Sequence, residues 1–409
     1  MMRLDPARHE WMGAPAARKL MAALGGSARF VGGAVRNALL NKPVSDIDIA
    51  TPLPPDQVQD LLAVAGIHCA PIGIAHGTVT AIVDGKPYEV TTLRRDVATD
   101  GRHAVVAFSD DWAEDAQRRD FTVNALYASA DGEVFDYTGG IADLQAGRVR
   151  FVGDATLRIR EDYLRILRLF RFHAWYGKGE IDAEALRAAA QEKSGIAKLS
   201  GERIAKEMLR LLEAANPVPA LRLMAAAGIL EEVLPGASNI VRLERLAEID
   251  AANFFTPDAM LRLAALLPPD KAVADRIADR WKLSNEARAR LADIAGASER
   301  IVSYSSMRET RKLLYRLGAG PFRDRLFLKW AQDTKASMQW RALLAMADAW
   351  QPPRFPLSGR DVMLAGVQEG PLVGKILAEV EEWWVDSDFT EDEFSLAERL
   401  KAVVQAVAY

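Results

Sequence analysis

The chain has 409 residues, of which 50% are hydrophobic and 26% charged, and its formal net charge is −4. This length is too great for one small core and predicts about two to four domains, while the composition is that of a soluble globular protein. One cysteine, Cys69, excludes an internal disulfide, and five histidines beside it leave no cluster of zinc ligands. The charged first ten residues and the lack of an apolar run of about 18 residues predict a cytoplasmic protein without a membrane partner.

Charge is distributed unevenly along the second half of the chain. Residues 301–350 hold nine Lys and Arg against four acidic residues, whereas residues 351–409 hold five against eleven. The basic segment is compatible with two interpretations: a solvated helix face, or a strip that follows the phosphate backbone of a nucleic acid.

From about residue 28 to residue 140 the pattern is mixed α/β. Runs of β-branched and apolar residues between Gly, Pro and Asp turns predict strands over Ala28–Val31, Ser45–Ala50, Thr78–Val83, Tyr88–Thr92 and Glu133–Asp136. Asp84-Gly85 lies between two of these runs and indicates a β-hairpin. A helix is predicted over Gln57–Ala65, after a proline-rich turn.

Two aspartates, Asp46 and Asp48, stand on alternate residues of one predicted strand. Residues two apart on a strand point to the same face, so the two carboxylates would project together. They repel each other unless a cation neutralises them, and Mg²⁺ held by carboxylates and substrate phosphates is the natural partner. Upstream, Gly32-Gly33 lets backbone N–H groups approach a phosphate, and a helix starting at Ala34 adds its positive end. Together these features indicate nucleotidyl transfer.

After Gly153 helical patterns dominate. Asp154 is predicted to cap a first helix that continues to about Tyr176 and ends at Gly177. Further helices are predicted over Ala183–Glu192, Gly201–Ala214, Val218–Ala226, Pro257–Leu267, Asp270–Trp281 and Asn285–Ala295. The sequence therefore predicts an α+β chain: a small mixed α/β head followed by a long all-helical part.

The first of these helices carries a charged strip: Asp162, Arg165, Arg168 and Arg171. Residues three apart drift around a helix, so the strip is slanted, and its ordinary interpretation is an amphipathic helix with an i,i+3 ion pair. A second interpretation is recognition of a base. An Asp carboxylate only accepts hydrogen bonds and an Arg guanidinium only donates them, so Asp162 and Arg165 match the Watson–Crick edges of cytosine and adenine. Uracil and guanine present the reversed order, which costs about 1–3 kcal/mol per unsatisfied group. Arg168 and Arg171 could pair with triphosphate oxygens.

With these residues identified, the sequence resembles the class II tRNA nucleotidyltransferases, the family of CCA-adding enzymes and bacterial poly(A) polymerases. The resemblance is carried by Gly32-Gly33-Ala34-Val35-Arg36, Asp46-x-Asp48, Ala75-His76-Gly77-Thr78-Val79, Tyr88–Arg94, Arg118–Leu126 and Glu161-Asp162-x-x-Arg165. Leu199–Ile204 and Gly359–Gly374 are similar to more loosely shared motifs. One departure is Asn37, where the family usually has Asp.

The resemblance implies a polymerase-β-like nucleotidyltransferase head over residues 1–150, a neck over 151–215, a body over 216–330 and a tRNA-binding tail over 331–409. It implies two Mg²⁺ ions at Asp46 and Asp48, with Glu89 as a further catalytic carboxylate. It assigns nucleotide contacts to Gly32, Gly33, Arg36, Arg118, Arg119, Asp120, Asn124, Asp162, Arg165, Arg168 and Arg171.

The implied reaction adds C, C and A from CTP and ATP to the 3′ end of tRNA, with tRNA bound at its acceptor stem and elbow. The segment Arg95–His103 resembles the flexible loop with which complete CCA enzymes switch from C to A, and Pro71–Val79 lacks the basic cluster of the poly(A) branch. A-only addition and poly(A) synthesis remain alternatives within the family. A non-catalytic RNA-binding homologue and a small-molecule adenylyltransferase are the alternatives from other classes.

Overall fold

The computed structural model describes residues 2–70, 77–100, 103–237 and 239–407, and it describes side chains outside residues 96–106. These residues form two compact units, Met1–Pro235 and Gly236–Tyr409. The N-terminal unit contains all the strands of the described chain, and the C-terminal unit is helical. The predicted α+β class is confirmed. The division into head, neck, body and tail is finer than these two units and stays a prediction.

The strands of the N-terminal unit form one large sheet and one separate hairpin. The strands are β1 Arg29–Val31, β2 Asp48–Thr51, β3 His68–Ala70, β4 Thr78–Val83, β5 Lys86–Thr92, β6 Arg94–Asp100, β7 His103–Phe108, β8 Leu126–Ala128 and β9 Val134–Asp136. The large sheet has the order β3-β4-β5-β2-β1-β8-β9, and β6 pairs with β7. Strands β2 and β5 are parallel, and the other neighbouring pairs are antiparallel.

The helices of the N-terminal unit are α1 Glu10–Gly13, α2 Pro15–Ala23, α3 Gly33–Leu39, α4 Pro55–Val64, α5 Trp112–Gln117, α6 Gly140–Ala146, α7 Ala155–Glu161, α8 Leu164–Tyr176, α9 Ala183–Gln191, α10 Gly201–Leu212, α11 Val218–Ala226 and α12 Ile229–Val233. Those of the C-terminal unit are α13 Ile240–Asn253, α14 Ala259–Leu266, α15 Lys271–Trp281, α16 Asn285–Ala295, α17 Met307–Leu317, α18 Ala319–Trp330, α19 Ser337–Asp348, α20 Gly359–Leu364, α21 Pro371–Asp386 and α22 Glu393–Val407. Within the described ranges, no helix is both long enough and apolar enough to cross a bilayer.

Several predicted elements are confirmed. Strand β4 has the predicted bounds, and the hairpin at Asp84-Gly85 joins it to β5, with φ values of 51° and 75° at the two turn residues. Positive φ at both positions is what a two-residue hairpin turn with the right-handed twist of its strands requires. The central strands are buried through alternate or continuous apolar residues, among them Phe30, Ile49 and Val90.

Three predictions of local structure are wrong. Strand β2 begins at Asp48, not at Ser45, so Asp46 lies in the preceding coil. The helix predicted to run unbroken from Asp154 to Tyr176 is two helices, α7 and α8, because Asp162 has an extended backbone with φ −155° and ψ 106°. Its carboxylate accepts the Leu164 N–H at 3.1 Å, which satisfies one of the donors at the start of α8.

The third correction concerns the segment predicted as a flexible loop, Arg95–His103. The described backbone on either side of residues 101–102 pairs instead as β6 and β7. The run Ala104-Val105-Val106-Ala107 has the β-branched character that favours a strand, but the Asp and Gly residues that precede it in the sequence suggested a loop. Residues 101–102 lie outside the described residues. Residues 71–76 do so as well, and they include Ala75 and His76 of the predicted Ala75-His76-Gly77 motif.

The basic segment 301–350 is described throughout, and most of its charge has a partner in the C-terminal unit. Six of its nine cations bond within the unit: Arg308 to the Asp386 carbonyl, Arg311 to Asp388, Lys312 to Asp386, Arg316 to Glu382, Arg323 to Asp348, and Arg325 to Asp293 and Glu299. The acidic segment that follows thus neutralises α17. The structure favours the ordinary interpretation for α17, whereas Lys329, Lys335 and Arg341 are exposed.

Candidate active site

The carboxylates predicted to hold metal lie at the start of β2. Asp48 stands opposite Glu89 in the parallel register of β2 and β5 and opposite Val31 in the antiparallel register of β2 and β1. Burial raises the pKa of Asp48, and the negative charges of Glu89 and Asp46 raise it further, while Arg119 opposes the shift. Asp46, Asp48 and Glu89 therefore share one negative region, with a guanidinium at its edge.

Strand β1 is followed directly by a glycine turn that borders this region. Gly32 has φ 69° and ψ −118°, a conformation that L side chains rarely adopt, and it precedes α3. Its N–H donates to the Leu126 carbonyl at 3.0 Å, which ties the turn to β8. A Cβ on Gly32 would lie 3.8 Å from Nη1 of Arg119, so the turn and this arginine border the same space.

Arg119 is held in place by a buried carboxylate. Asp115 Oδ2 accepts from Nη2 of Arg119 at 2.9 Å and from the Tyr127 hydroxyl at 2.7 Å, and Oδ1 accepts from Nε of Arg118 at 2.9 Å. Burial alone would raise the pKa of Asp115, but the two arginines lower it, so it stays ionised. One acidic residue in α5 thus orients both arginines of the predicted nucleotide site.

Asp120 connects the head to helix α8. Its Oδ2 accepts from Nε of Arg168 at 2.8 Å, and its Oδ1 accepts from the Asn124 amide at 3.0 Å and the Phe121 N–H at 2.8 Å. Burial would raise the pKa of Asp120, but Arg168 and the hydrogen bonds from Asn124 and Phe121 lower it to about 2. This carboxylate is therefore ionised across the physiological range and fixes Arg168.

Arg36 closes the same network from α3. It donates through Nη1 to the side-chain oxygen Oδ1 of Asn124, and through Nη2 to the Tyr176 hydroxyl at 2.8 Å. Asn37 Oδ1 accepts from the same Nη2 at 3.0 Å. Burial lowers the pKa of Arg36, and Tyr176 opposes this shift. At Asn37 a neutral amide oxygen accepts this bond, so the departure from the family's Asp leaves Arg36 with a partner.

The predicted base-reading pair has different partners from those expected. Asp162 Oδ2 accepts from Nη2 of Arg203 on α10 at 2.7 Å, while Arg165 bonds through Nη1 to the Glu161 carboxylate and to the Arg158 carbonyl. None of these bonds joins Asp162 to Arg165, so the i,i+3 ion pair of the ordinary interpretation is not among them. Each side chain is oriented by a separate partner.

Helix α10 also holds the two arginines farther along α8. Glu207 lies 2.6 Å from Nε of Arg171 and 3.7 Å from Nη1 of Arg168, and it is buried. Burial lowers the pKa of Arg171, against the opposing effect of Glu207. Arg203 and Glu207 are four residues apart and therefore lie on one face of α10.

The two halves of the predicted site meet at consecutive residues. The positive charge of Arg119 acts against the rise in the pKa of Asp48, and Asp120, the next residue, binds Arg168 on α8. Adjacent residues thus link the carboxylate at the start of β2 to the charged strip of α8, and the joint role of these residues in one nucleotide site stays a prediction.

The donor set at β2 suits a hard divalent cation. Carboxylate oxygens are the ligands that Mg²⁺ prefers, and a cation would relieve the repulsion that raises the pKa of Asp48. In the described ranges, no group of three or more His, Cys, Asp or Glu residues is placed to hold a metal ion. Asp46 and Asp48 could hold such an ion together with oxygens of the substrate phosphates, and their metal role, like the part of Glu89, stays a prediction.

Comparisons with known proteins identify the family of the chain. A family model described as "Poly A polymerase head domain" matches residues 28–150, and one described as "Probable RNA and SrmB- binding site of polymerase A" matches residues 180–240. The mitochondrial CCA tRNA nucleotidyltransferase 1 of Mus musculus is 34% identical over 387 residues, which cover 91% of this chain and 86% of the relative. The CCA-adding enzyme of Streptococcus gordonii is 32% identical over 397 residues, which cover 96% and 97%.

The chain belongs to the CCA tRNA nucleotidyltransferase family.

The fold agrees with this membership. The crystal structure of the Bacillus stearothermophilus CCA-adding enzyme in complex with CTP has a TM-score of 0.79 to this chain, at 26% identity, and covers 96% of this chain and 99% of its own. The family and the enzyme class predicted from the sequence are confirmed: the protein is a nucleotidyltransferase.

Sequence reasoning missed the residues that orient this family's predicted nucleotide contacts. Asp115, Tyr176, Glu161, Arg203 and Glu207 contact predicted site residues, yet none was assigned a role, although Glu161 and Arg203 lie in motifs that carry the resemblance. A signal was present for two of them, because Arg203 and Glu207 stand at i,i+4 spacing in or near the Leu199–Ile204 motif. Asp115 gave no signal, since an acidic residue in the first turn of a helix is ordinary capping chemistry.

Proposed function

We propose that this protein adds C, C and A from CTP and ATP to the 3′ end of tRNA, without a nucleic-acid template. The observation that supports the proposal best is the junction at Arg119 and Asp120. The charge of Arg119 acts on Asp48 at the start of β2, and Asp120 binds helix α8, which carries predicted base-reading and phosphate-binding side chains. A single nucleoside triphosphate in this region could touch both.

In this proposal Asp46 and Asp48 hold two Mg²⁺ ions. When bound, such ions lower the pKa of the primer 3′-hydroxyl and stabilise the leaving pyrophosphate during in-line displacement at the α-phosphorus. The residues of the chain position the substrates. Gly32, Gly33 and Arg36 approach the triphosphate, and Arg118 and Arg119, oriented by Asp115, add positive charge beside it.

Base selection is assigned to Asp162 and Arg165. A carboxylate can accept more than two hydrogen bonds, so Asp162 can accept from the amino group of cytosine or adenine while it keeps its bonds from Arg203 and Leu164. Arg165 has further N–H groups beyond the Nη1 that bonds to Glu161, and these can donate to the ring nitrogen of the same base. Uracil or guanine would place a carbonyl against the carboxylate and an N–H against the guanidinium.

The assay for this function uses tRNA that lacks its 3′ CCA and one labelled nucleoside triphosphate at a time. Incorporation of C followed by A, and nothing further, is the expected result. Addition of A alone to a CC-ended primer would identify an A-adding enzyme, and long A tracts would identify a poly(A) polymerase. Failure to incorporate any nucleotide, with retained RNA binding, would identify a non-catalytic homologue. An Asp46→Ala variant serves as the inactive control, and substantial addition by it would contradict the metal assignment.

The acceptor stem and elbow of tRNA are the proposed RNA contacts, and the cytoplasm is the proposed compartment. Part of the named family is mitochondrial, so fractionation of the source cells is the measurement that decides between the two locations.

A further inference from the structure

We propose that the C-terminal unit carries a nucleobase-stacking site for the RNA substrate at Phe254, beside a cavity of about 450 Å³ between the end of α13 and helix α19. This inference rests on the proposed function, because it assigns a new contact for the same RNA.

Phe254 has an unfavourable backbone conformation, and its side chain does not pack in the fold. It follows the last residue of α13 with φ 57° and ψ 31°, in the left-handed region. Helices commonly end on such a residue, but Gly or Asn usually occupies the position, and a residue with a bulky side chain costs about 1–2 kcal/mol there. The side chain of Phe254 recovers none of this cost by burial, because the residue is 96% exposed.

The neighbouring residue explains the turn but not its aromatic side chain. The Phe255 N–H donates to the Asp250 carbonyl at 2.9 Å, and the Phe255 ring packs edge-on against Phe327 with 5.5 Å between ring centroids. The left-handed turn therefore directs Phe255 against its own unit and leaves Phe254 in solvent. A glycine at residue 254 would allow the same turn, so the aromatic ring calls for a role outside the fold.

The cavity beside Phe254 offers the chemistry that recognises a base. Its lining consists of Ala252, Asn253, Phe254 and Phe255 at the end of α13, and Arg341, Leu344, Ala345 and Asp348 on α19. Bases that are splayed out of an RNA strand stack on aromatic rings and on arginine planes, and they hydrogen-bond through their edges to polar side chains. Phe254 and Arg341 supply the two stacking groups, and Asn253, whose Nδ2 donates to the Ile249 carbonyl at 2.7 Å, supplies its amide oxygen as an acceptor.

The charge of this region is complementary to RNA. Asp348, the one acidic residue of the cavity lining, is paired with Arg323. Arg341 is exposed, as are Lys329 on α18 and Lys335 just before α19. These three are the cations of residues 301–350 that are not among the six described above as bonded within the C-terminal unit. An exposed arginine at the cavity and two lysines on the adjoining segment are suited to contact phosphates next to a stacked base.

The decisive variant is Phe254→Gly, because stability and RNA binding should change in opposite directions. Glycine adopts φ 57° without strain, so we expect a higher melting temperature than that of the wild type. Loss of a stacked base should raise the Kd for tRNA lacking CCA, and the KM for it, about fivefold or more, while the KM for CTP stays unchanged. A structural role for Phe254 would instead lower the melting temperature.

Arg341→Ala tests the charged half of the site. We expect weaker tRNA binding and a decrease of about one in the slope of log Kd against log salt concentration, as removal of a single phosphate contact predicts.

The control for the Phe254 variant is Phe394→Ala on α22, which removes another exposed aromatic side chain (73% exposed) outside the cavity lining and should leave tRNA binding unchanged.

The binding measurement separates this inference from the proposed function. If the wild type binds tRNA but adds no nucleotide, the proposed function fails, while weaker RNA binding by Phe254→Gly still supports the stacking site. If the wild type adds CCA and Phe254→Gly binds tRNA with unchanged Kd, the stacking site is wrong. A Phe254→Gly variant that loses RNA binding and also melts at a lower temperature would likewise contradict the inference.

Discussion

Arg203 and Asp162, which lie 41 residues apart, are joined by a charge-assisted hydrogen bond of 2.7 Å between Nη2 and Oδ2. Asp162 lies in the short link between α7 and α8, and Arg203 projects from α10. The other carboxylate oxygen accepts the Leu164 N–H. The carboxylate proposed to read the base is therefore oriented from two sides before any nucleotide binds.

Loss of Arg203 should reduce nucleotide discrimination. In Arg203→Met the apolar stem is kept, but Asp162 loses a hydrogen bond to a charged group, which is worth about 1.5–3 kcal/mol. We expect kcat/KM for CTP to fall about tenfold, mainly through KM, and UTP incorporation to rise relative to CTP. Single-nucleotide addition kinetics with each triphosphate measure both changes.

Two further variants complete this experiment. Arg203→Lys keeps the charge and should recover part of the loss. Arg160→Met removes a similar ion pair, between Arg160 and Glu192, that contacts no predicted site residue, so its nucleotide preference should equal that of the wild type. Unchanged preference in Arg203→Met would contradict the proposed role of Asp162.

The Asp48 carboxylate should lower the free energy of unfolding and yet be needed for catalysis. The pKa of Asp48 is raised by burial and by its acidic neighbours, so its ionised form is less favourable in the folded state than in the unfolded state. The free energy of unfolding therefore falls as pH rises through the window between the two pKa values. Without divalent cation at neutral pH, Asp48→Asn should have a higher melting temperature than the wild type.

The same Asp48→Asn variant should lose nucleotide addition by about a thousandfold or more, since a metal ligand stabilises transition-state charge by several kcal/mol. Thermal melting in EDTA and in Mg²⁺ provides the check that is independent of activity. Added Mg²⁺ should raise the melting temperature of the wild type more than that of the variant. A lower melting temperature for Asp48→Asn in EDTA would show that the carboxylate is not repelled there.

The accuracy of the sequence-based predictions followed the range of the interactions involved. Strand β4 was predicted with its bounds, and the hairpin turn with its position, because alternation and the Asp84-Gly85 turn are local properties, although β5 begins at Lys86 and not at the predicted Tyr88. The break at Asp162 was missed because the same residue also fits a helix interior, and the bond that accompanies the break comes from Arg203 on a different helix. Similarly, the basic charge of α17 could not be assigned from the sequence, because its partners lie more than 60 residues away.

The two adjacent glycines before α3 should respond differently to a methyl group. Gly32 has φ 69°, so Gly32→Ala should lower the free energy of unfolding by about 1–3 kcal/mol even though the nearest atom to its Cβ, the Asn124 carbonyl oxygen, is 3.6 Å away. Gly33 lies inside α3, where alanine is favoured, so Gly33→Ala should be as stable as the wild type or more stable.

Activity should separate the same two variants from a purely structural explanation. Gly33→Ala places a methyl group near Nη2 of Arg36, at 3.7 Å, where the triphosphate is proposed to approach the backbone. We expect it to raise the KM for CTP and for ATP while its melting temperature is maintained. A stable Gly33→Ala variant with unchanged KM would show that the triphosphate does not approach this turn. Urea unfolding and initial-rate kinetics supply the two measurements.

Acid should weaken the connection between Asp120 and α8. Arg168 and the hydrogen bonds from Asn124 and Phe121 lower the folded-state pKa of Asp120 to about 2, against an unfolded value near 3.9, and its side chain is 11% exposed. A lowered pKa in the folded state contributes stability at pH values above the unfolded pKa, here on the order of 2 kcal/mol, and this contribution is lost as pH falls from about 4 to about 2.

Urea unfolding at a series of pH values should therefore show that the free energy of unfolding depends less steeply on pH in this window for Asp120→Asn than for the wild type. Asp56→Asn, on an exposed position of α4, should keep the wild-type slope. A wild-type slope in Asp120→Asn would mean that the ionised carboxylate gives no net stabilisation to the junction on which base recognition depends.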